Sequence, residues 1–388
     1  MWSFTSPEIV FGEDALNRLE ELEGDRAVIV TDATLLQLGF PARVQEVLAT
    51  AGIASEIFAE VEEEPSLQTI RRGALFLVEN EPDWIIGLGG GSCMDAAKAM
   101  WVLYERPDLS PEAISPMEIL GLRAKARLIT IPTTAGTGSE VGYASVLTDL
   151  EENRKLTLGS RETTPDIAIV DPQFTVDLPQ QLTADTGVDT LTHAVEGYTS
   201  TWANDFTDGP CLKAIHLVFR YLPRAVEHGA RDPRAREKMA NAAAIAGLAL
   251  GNSQVALAHA MGHSAGTCLP LPHGRITALF LPYTIEFNAR GGVGRYQDIA
   301  YILGLPAEDE SQAADNVAQA IRDLLGRIGQ PRSLQEAGVS EAEFEANLAE
   351  ICEHTEIDTN ILMARRIPER VEIEQLFRCA YQGQKVDF

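Results

Sequence analysis

The sequence has few of the features that mark disulfide-rich, membrane-spanning or nucleic-acid-binding proteins. Its five cysteines are widely spaced and include no Cys-x-x-Cys pair, which argues against a disulfide framework or a zinc knuckle. No run of about 18 apolar residues occurs, so no membrane span is predicted. Acidic residues outnumber basic ones by 57 to 31, and the formal net charge of −26 opposes binding to a phosphate backbone or to anionic lipid. We therefore expect neither nucleic acid nor membrane as a partner.

The N-terminal residues also lack a basic region followed by an apolar one, so they do not resemble a signal peptide. A cytoplasmic protein with reduced thiols is expected. The negative charge indicates solubility and carries no function by itself. A length of 388 residues suits two domains better than one.

Short apolar runs alternate with helical segments in the first half of the chain. Helices are predicted over residues 41–51 and 66–79. Strands are predicted at residues 26–32, 55–59, 84–88, 128–132 and 167–171. This alternation favours parallel pairing and a doubly wound sheet. After about residue 179 helical periodicity dominates, so we predict an α/β domain over 1–179 and an all-helical domain over 180–388.

A glycine-rich segment follows the strand predicted at 84–88 and begins a helix. Glycines at 87 and 89–91 allow the backbone to approach a pyrophosphate, and the first N–H groups of a helix attract its negative charge. Ser92 occupies the place of the third glycine of a Gly-x-Gly-x-x-Gly motif, and no Gly-Lys-Ser/Thr follows, which excludes a P-loop. A structural turn is the alternative. A second loop, residues 132–140, offers hydroxyls that could contact phosphate, ribose or amide.

Four of the seven histidines fall in two short windows. Asp189 and His193 stand four residues apart, as do His259 and His263, so each pair shares one helix face. His273 follows in a segment that we expect to be a loop. Imidazole and carboxylate donors suit a divalent metal such as Fe, Zn, Ni or Co. The spacing does not decide which of His259 and His263 is the ligand, and any one histidine alone would more often be structural.

Together these segments resemble the iron-containing (group III) alcohol dehydrogenase family over nearly the whole chain. The fold that the resemblance implies is an N-terminal Rossmann-like domain followed by an all-α domain, as in the related dehydroquinate synthases. The motifs that carry the resemblance are residues 7–12, 30–32, 89–92 with Asp95 and Lys98, 133–134 with 136–140, 186–189 with 193–197, 259–263 and 272–274.

The resemblance also implies site residues and a reaction. The implied metal ligands are Asp189, His193, His259 and His273, while His263 becomes a candidate for proton transfer. The implied cofactor contacts are Asp32, Gly89, Gly90, Gly91, Ser92, Asp95, Thr133, Thr134, Thr137 and Lys155. A carboxylate at Asp32 favours NAD over NADP because it repels a ribose phosphate. The expected enzyme transfers hydride between NAD(H) and a small alcohol or aldehyde at Fe(II), or at Zn or another divalent ion. A homo-oligomer is expected, with a dimer as the preferred assembly.

Two departures from the family pattern keep the substrate open. Glu64 stands before Pro65 where the family often has Asn, and residues 359–363 replace an Asn-Pro-Arg segment near the substrate. The alternatives are a hydroxyacid–oxoacid transhydrogenase that retains its NAD and a zinc-dependent enzyme like glycerol dehydrogenase. A dehydroquinate synthase activity is disfavoured because the segment before His273 is apolar, and a non-catalytic metal-binding protein leaves the glycine loop unexplained.

Overall fold

The structure, a computed structural model, describes residues 3–152 and 154–388. The chain divides into two compact units, Met1–Asp177 and Leu178–Phe388.

The first unit is built on a parallel sheet. Its strands are β1 (Glu8–Phe11), β2 (Arg26–Val30), β3 (Ala54–Phe58), β4 (Trp84–Gly89), β5 (Arg127–Pro132), β6 (Ala144–Asp149), β7 (Arg154–Gly159) and β8 (Ile167–Val170). Its α-helices are α1 (Ala33–Gln37), α2 (Phe40–Thr50), α3 (Leu67–Asn80) and α4 (Gly91–Glu105). Short 3-10 helices lie at Ala15–Glu21, Pro111–Ala113, Arg161–Thr163 and Pro172–Phe174. Six strands pair in parallel in the order β1-β8-β5-β4-β2-β3, and β6 and β7 form a separate antiparallel hairpin.

The central strands of this sheet are buried on both faces. Every residue of β4 is buried, and β5 is buried after its first residue. One face packs on α3 and α4 through side chains such as Met100 and Trp101, and the other packs on α2 and the helix Ala15–Glu21. Each fully buried aliphatic or aromatic side chain contributes roughly 1.5–3 kcal/mol. Continuous apolar runs, without polar alternation, are what a sheet covered on two sides requires.

The strand order places a switch in direction between β2 and β4. From β2 the chain moves outward to β3, and then returns to β4 on the opposite side of β2. In open α/β sheets, ligands bind beyond the carboxyl ends of the strands at such a point. Asp32 follows β2, and Gly89–Gly91 end β4 and begin α4. The two segments that the family resemblance assigns to a dinucleotide therefore flank this point.

Over its described residues, all the regular secondary structure of the second unit is helical. Its helices are α5 (Gln180–Thr199), α6 (Asp205–His228), α7 (Pro233–Ser253), α8 (Leu257–Cys268), α9 (His273–Arg290), α10 (Tyr296–Leu303), α11 (Glu310–Arg327), α12 (Glu341–Ile357) and α13 (Arg370–Gln382). Two 3-10 helices lie at Gly229–Arg231 and Thr359–Met363. Helix α5 packs against α6, α7 and α9, and α8 packs against α9 and α12. Over the described residues, none of the helices has the length and apolar character needed to cross a bilayer.

The predicted parallel sheet followed by helices is confirmed, and all five predicted strands occur within two residues of their expected bounds. Three strands were not predicted. β1 has only four residues at the sheet edge. The hairpin has no continuous apolar run, since β6 alternates exposed and buried residues and β7 is exposed or half-buried up to its last residue. The expectation that His273 lies in a loop is wrong. Pro272 precedes the first helical residue, so His273 begins α9.

Candidate active site

Helix α5 presents two of the side chains that could bind a metal ion from one buried face. Asp189 and His193 lie four residues apart, and their side chains are 4% and 6% exposed. Small or β-branched residues surround them on this helix, which lets α6, α7 and α9 approach closely. Burying a carboxylate and an imidazole is unfavourable unless each has a partner. The burial therefore implies that both side chains have bonding partners beyond α5.

Helices α8 and α9 supply the remaining members of the cluster. The Nε2 atoms of His193, His259 and His273 lie 3.8, 4.0 and 3.7 Å from Asp189 Oδ1. Ligand atoms of the four residues all lie within 4.8 Å of one another. These separations are too long for hydrogen bonds. They are close to the roughly 3.4 Å that separates ligand atoms held tetrahedrally at about 2.1 Å from one ion.

The donor set fits a divalent metal ion. The buried nitrogen atoms His193 Nδ1 and His259 Nε2 have no hydrogen-bond partner within the described part of the chain. An unsatisfied buried polar atom is destabilising by about 1–3 kcal/mol, and an ion would remove that penalty at His259. Three nitrogen donors and one carboxylate suit Fe(II), Zn(II) or Co(II) better than Mg²⁺ or Ca²⁺, which prefer oxygen.

Glu196, which the sequence analysis does not single out, orients His259. Its Oε2 lies 2.6 Å from His259 Nδ1, which leaves His259 Nε2 directed at Asp189. The same carboxylate accepts hydrogen bonds from the backbone N–H groups of Ala256, Ala258 and His259. A signal existed, because Glu196 continues the i, i+4, i+7 face that starts at Asp189 and passes through His193.

The cluster lies next to His263 but does not include it. The rings of His263 and His273 stack with their centroids 5.3 Å apart. His263 Nδ1 lies 3.1 Å from Asp358 Oδ2, so its Nε2 is the atom left for other contacts. The side chain is 34% exposed, which lets it exchange a proton. Asp358 follows α12, and no sequence pattern connected it with His263.

Close packing of α9 on α5 sets the position of His273. A Cβ on Gly274 would lie 2.3 Å from the carbonyl oxygen of Asp185 and 2.8 Å from Asp189 Cβ, so only glycine fits there. Arg275 donates two hydrogen bonds of 2.9 Å to the Asp185 carboxylate. These contacts fix the first turn of α9 against the helix that carries Asp189.

Electrostatics at the cluster follow from burial and from mutual charge. Burial acts to raise the pKa of Asp189, but His193, His273, His259 and His263 together lower it below its usual value. The pKa of His259 falls well below its ordinary value because of burial and the neighbouring imidazoles. Asp189 is thus held as an anion and His259 as a neutral imidazole, the states that bind a metal ion.

The glycine segment of the first unit forms a helix start suited to an anion. Gly89 has a φ of 153°, a backbone conformation that favours glycine, and a Cβ there would lie 2.5 Å from Cys93 Sγ. Gly90 is the N-cap of the 15-residue helix α4 and has no side chain with which to cap its first N–H groups. Ser92 Oγ donates to the carbonyl of Glu63 at 2.5 Å. The unsatisfied N–H groups and the helix dipole attract a phosphate.

The second loop is tied to α4 by a buried lysine. Lys98 is fully buried, and its Nζ donates to the carbonyl and hydroxyl of Ser139 and to the carbonyl of Ala144. Asp95 accepts from Ser139 Oγ and from the backbone N–H of Val146. Asp95 thus contacts the protein itself and positions the loop. The backbone N–H of Thr133 bonds to the carbonyl of Gly89, which joins the two loops directly.

Two further predicted cofactor residues make contacts within the first unit. Asp32 accepts from the N–H of Leu35 at 2.8 Å as the N-cap of α1, and Cys93 Sγ lies 3.5 Å from its other oxygen. Lys155 stands on β7 and pairs with Glu64 at 2.6 Å. Glu64, which stands where the family often has Asn, is therefore the ion-pair partner of Lys155, the basic residue that the resemblance assigns to the cofactor.

Family comparisons cover both units. Residues 6–172 match the family described as iron-containing alcohol dehydrogenase, and residues 183–381 match the C-terminal part of the same family. The NADPH-dependent butanol dehydrogenase of Clostridium saccharobutylicum is 36% identical over 391 residues, covering 100% of each chain. The bifunctional aldehyde-alcohol dehydrogenase of Escherichia coli (strain K12) is 36% identical, but the match covers 99% of this chain and 46% of that protein. The chain thus spans about half of such bifunctional relatives.

Solved structures agree with these matches. A 1,3-propanediol oxidoreductase superimposes with a TM-score of 0.91 at 33% identity, covering 98% of this chain and 100% of that one. A sulfoacetaldehyde reductase from Bifidobacterium kashiwanohense, solved in complex with NAD+, gives a TM-score of 0.87 at 28% identity, covering 98% of each chain. The chain belongs to the iron-containing alcohol dehydrogenase family and is an oxidoreductase of the alcohol dehydrogenase class.

Proposed function

We propose that this enzyme transfers hydride between NAD(H) and a small alcohol or aldehyde, using a divalent ion held by Asp189, His193, His259 and His273. The observation that carries the proposal is the convergence of these four donor groups within 4.8 Å, with a buried His259 nitrogen left without a hydrogen-bond partner in the described chain. We infer Fe(II) as the native metal because the family is named for iron, although the donors also suit zinc.

The chain's own residues would prepare this site for a substrate oxygen. When bound, a divalent ion supplies Lewis-acid chemistry, which stabilises negative charge on the oxygen of an alcohol or a carbonyl. Asp189 provides one negative charge, so a divalent ion retains net positive charge toward the substrate. Glu196 holds His259 in the tautomer with Nε2 available, as carboxylates do for histidine ligands in other metal sites.

His263 is the residue that we assign to proton transfer. Oxidation of an alcohol releases one proton, and reduction of an aldehyde consumes one. Asp358 holds Nδ1 of His263, so the proton is taken or given at Nε2. The partial exposure of the ring allows the proton to pass on to solvent.

The first unit supports the dinucleotide half of the proposal. The backbone of Gly89, Gly90 and Gly91 with Ser92 would hold the pyrophosphate at the start of α4. The hydroxyl-bearing loop that follows β5 would border it through Thr133, Thr134 and Thr137. Asp95 would contribute indirectly, since it positions Ser139 of that loop. Lys155 would reach the cofactor only after its ion pair with Glu64 opens, because that contact occupies its ammonium group.

The choice of NAD rests on Asp32. A carboxylate beyond β2 accepts hydrogen bonds from ribose hydroxyls and repels a ribose phosphate. The neighbour solved with NAD+ supports this preference, whereas the butanol dehydrogenase relative is NADPH-dependent. A homodimer in the cytoplasm is the assembly and location that we expect.

We propose short primary alcohols or diols and their aldehydes as substrates. The segment before His273 contains Leu269, Pro270 and Leu271, which offer no charge to a substrate. The butanol and propanediol relatives act on molecules of this size.

The test is anaerobic purification followed by reconstitution with Fe(II) or Zn(II). Oxidation of NADH and NADPH is then followed with a panel of short aldehydes and ketones. The proposal predicts metal-dependent turnover with NADH and a short aldehyde. Turnover that needs no metal, or that proceeds without any added nicotinamide, would contradict it, and the latter would indicate a transhydrogenase.

A further inference from the structure

A second group of metal-ligand side chains lies outside the site described above. Cys268, Glu350 and His354 place a sulfur, a carboxylate oxygen and an imidazole nitrogen all within 4.8 Å of one another. Cys268 is the last residue of α8, and the other two stand four residues apart on α12. The group therefore combines ligands from two helices that pack against each other.

We propose that Cys268, Glu350 and His354 form a second divalent-cation site of zinc type. Cys, His and Glu together make a donor set with soft and borderline ligands, which favours Zn(II) over Mg²⁺, Ca²⁺ or Fe(II). A thiolate and a carboxylate balance the charge of the ion, and a water molecule completes four-fold coordination. His354 Nε2 lies 4.0 Å from Glu350 Oε1, and closing this gap to the roughly 3.4 Å of a zinc site needs only rotation of an exposed glutamate.

A neighbouring hydroxyl prepares the histidine for this role. Thr267 Oγ1 lies 3.3 Å from His354 Nδ1, which leaves His354 Nε2 directed at Glu350. Metal-bound histidines generally use their second nitrogen in this way, and the contact fixes both ring orientation and tautomer. The side chains of Glu350 and His354 are 61% and 38% exposed, so an ion can enter from solution.

This site is separate from the Asp189 cluster. His259 and Cys268 are nine residues apart on α8, which corresponds to about 14 Å along the helix axis. Two ions of a binuclear catalytic centre lie about 3.5–4 Å apart, so the second ion would not take part in the reaction. Its effect would be to tie the C-terminal end of α8 to α12, and Asp358, the partner of His263, directly follows α12.

The proposal changes how a metal analysis of this enzyme is interpreted. One zinc per chain found after aerobic purification would not identify the catalytic metal, because the ion could occupy the cysteine-containing site. The enzyme could hold zinc there and iron at Asp189.

Cobalt distinguishes the two sites by spectroscopy. Thiolate bound to Co(II) gives an intense near-ultraviolet charge-transfer band, and the Asp189 cluster contains no cysteine. The tag-free full-length enzyme is stripped of metal with a chelator and titrated anaerobically with Co(II). We expect two equivalents per chain, with a charge-transfer band that saturates with one of them.

Variants assign the band to the proposed ligands. Cys268→Ser should abolish the band and one equivalent of Co(II), while Cys379→Ser, at a half-buried cysteine on α13, should leave both unchanged. Glu350→Gln and His354→Ala alter an exposed and a partly buried side chain and should weaken Co(II) binding at the cysteine-containing site by at least about tenfold. Co(II) binding at the Asp189 cluster and the circular dichroism spectrum report that each variant is folded.

Several outcomes would overturn the proposal. A single equivalent without a charge-transfer band would show that there is no second site. A band that persists in Cys268→Ser would place the thiolate elsewhere. A band with unchanged affinity in both Glu350→Gln and His354→Ala would show that the cysteine binds cobalt without these partners.

Discussion

At the scale of single residues, Asp32 combines two roles that substitution can separate. Its Oδ1 caps α1 by accepting from Leu35, and its charge faces the region where β2 ends. Serine caps a helix about as well as aspartate but carries no charge. Asp32→Ser should therefore raise the ratio of kcat/KM for NADPH to that for NADH by about tenfold or more, because charge repulsion is lost.

The control for this prediction is Asp309→Ser, which removes the same charge from the N-cap of α11 in the other unit. Steady-state kinetics with both cofactors on the wild type and the two variants provides the measurement. An unchanged ratio in Asp32→Ser would mean that another residue selects the cofactor.

Glu196 is the residue that we expect to govern metal affinity without touching the metal. Glu196→Gln retains the size of the side chain but brings an amide group toward backbone N–H donors and His259. The dissociation constant of the metal ion at the Asp189 cluster should rise about 10- to 100-fold, as it does when other carboxylates that support histidine ligands are removed. Competition with a chromophoric chelator measures this change.

A matched control separates loss of affinity from loss of stability. Glu286 is also buried, and it pairs with Arg322. Glu286→Gln should lower the free energy of unfolding while leaving metal affinity unchanged. Equal metal affinity in Glu196→Gln and the wild type would remove the positioning role that we assign to Glu196.

Residue spacing in the sequence is enough to indicate Asp189, His193 and the pair His259 and His263 as candidate metal ligands. It cannot choose between the last two, because both share one helix face. The choice depends on which neighbour each ring meets, Glu196 in one case and Asp358 in the other. Such contacts join residues 63 and 95 positions apart, and local pattern carries no information about them.

At the scale of secondary-structure elements, the approach of α9 to α5 determines whether the ligands converge. Gly274 permits that approach, because a methyl group there would overlap the backbone of Asp185. Gly274→Ala should push the first turn of α9 outward and move His273 away from Asp189. We expect metal affinity to fall at least about tenfold, since a displaced ligand is more disruptive than the loss of an orienting contact.

Gly209→Ala provides the comparison. Gly209 lies within α6, a Cβ there meets nothing within 4 Å, and alanine should stabilise the helix slightly. Anaerobic isothermal titration of both variants with Fe(II), which the cysteine-containing site disfavours, measures the difference. Equal affinity in Gly274→Ala and Gly209→Ala would show that α9 can shift without moving His273.

The elements themselves are predictable to different degrees. Buried strands such as β4 and β5 form continuous apolar runs bounded by turn residues, which makes them recognisable in the sequence. The strands of the hairpin β6–β7 interleave polar or charged residues with apolar ones, so they lack such a run. The predicted loop at His273 is wrong because Pro270 and Pro272, which are typical of turns, are also compatible with a helix start, and Pro272 is the N-cap of α9.

At the scale of the whole molecule, the charge of −26 should make stability depend on salt. Repulsion among acidic residues opposes the compact state, and screening reduces it. The Debye length falls from about 10 Å at 0.1 M salt to about 3 Å at 1 M. We expect Tm at pH 7 to rise by several degrees between low and high NaCl, with most of the gain below about 0.3 M.

The shape of this dependence identifies its cause. Screening saturates once the Debye length is shorter than the spacing of the charges, whereas a general salt effect on apolar burial continues to increase with concentration. Differential scanning calorimetry of the metal-loaded enzyme over a NaCl series measures it. A Tm that does not change below about 0.3 M would mean that the acidic residues are already paired or too far apart to repel.

The central claim, that catalysis depends on an ion held by Asp189 and three histidines, is tested most directly with His273→Ala. Alanine suits the first turn of α9, and the half-exposed His228→Ala on α6 serves as the control. Metal content and aldehyde-dependent oxidation of NADH are measured on the same anaerobic samples. We predict that His273→Ala loses one equivalent of metal per chain and about a thousandfold of activity, equivalent to about 4 kcal/mol in the transition state. Full activity in a His273→Ala enzyme that has lost this ion would contradict the account.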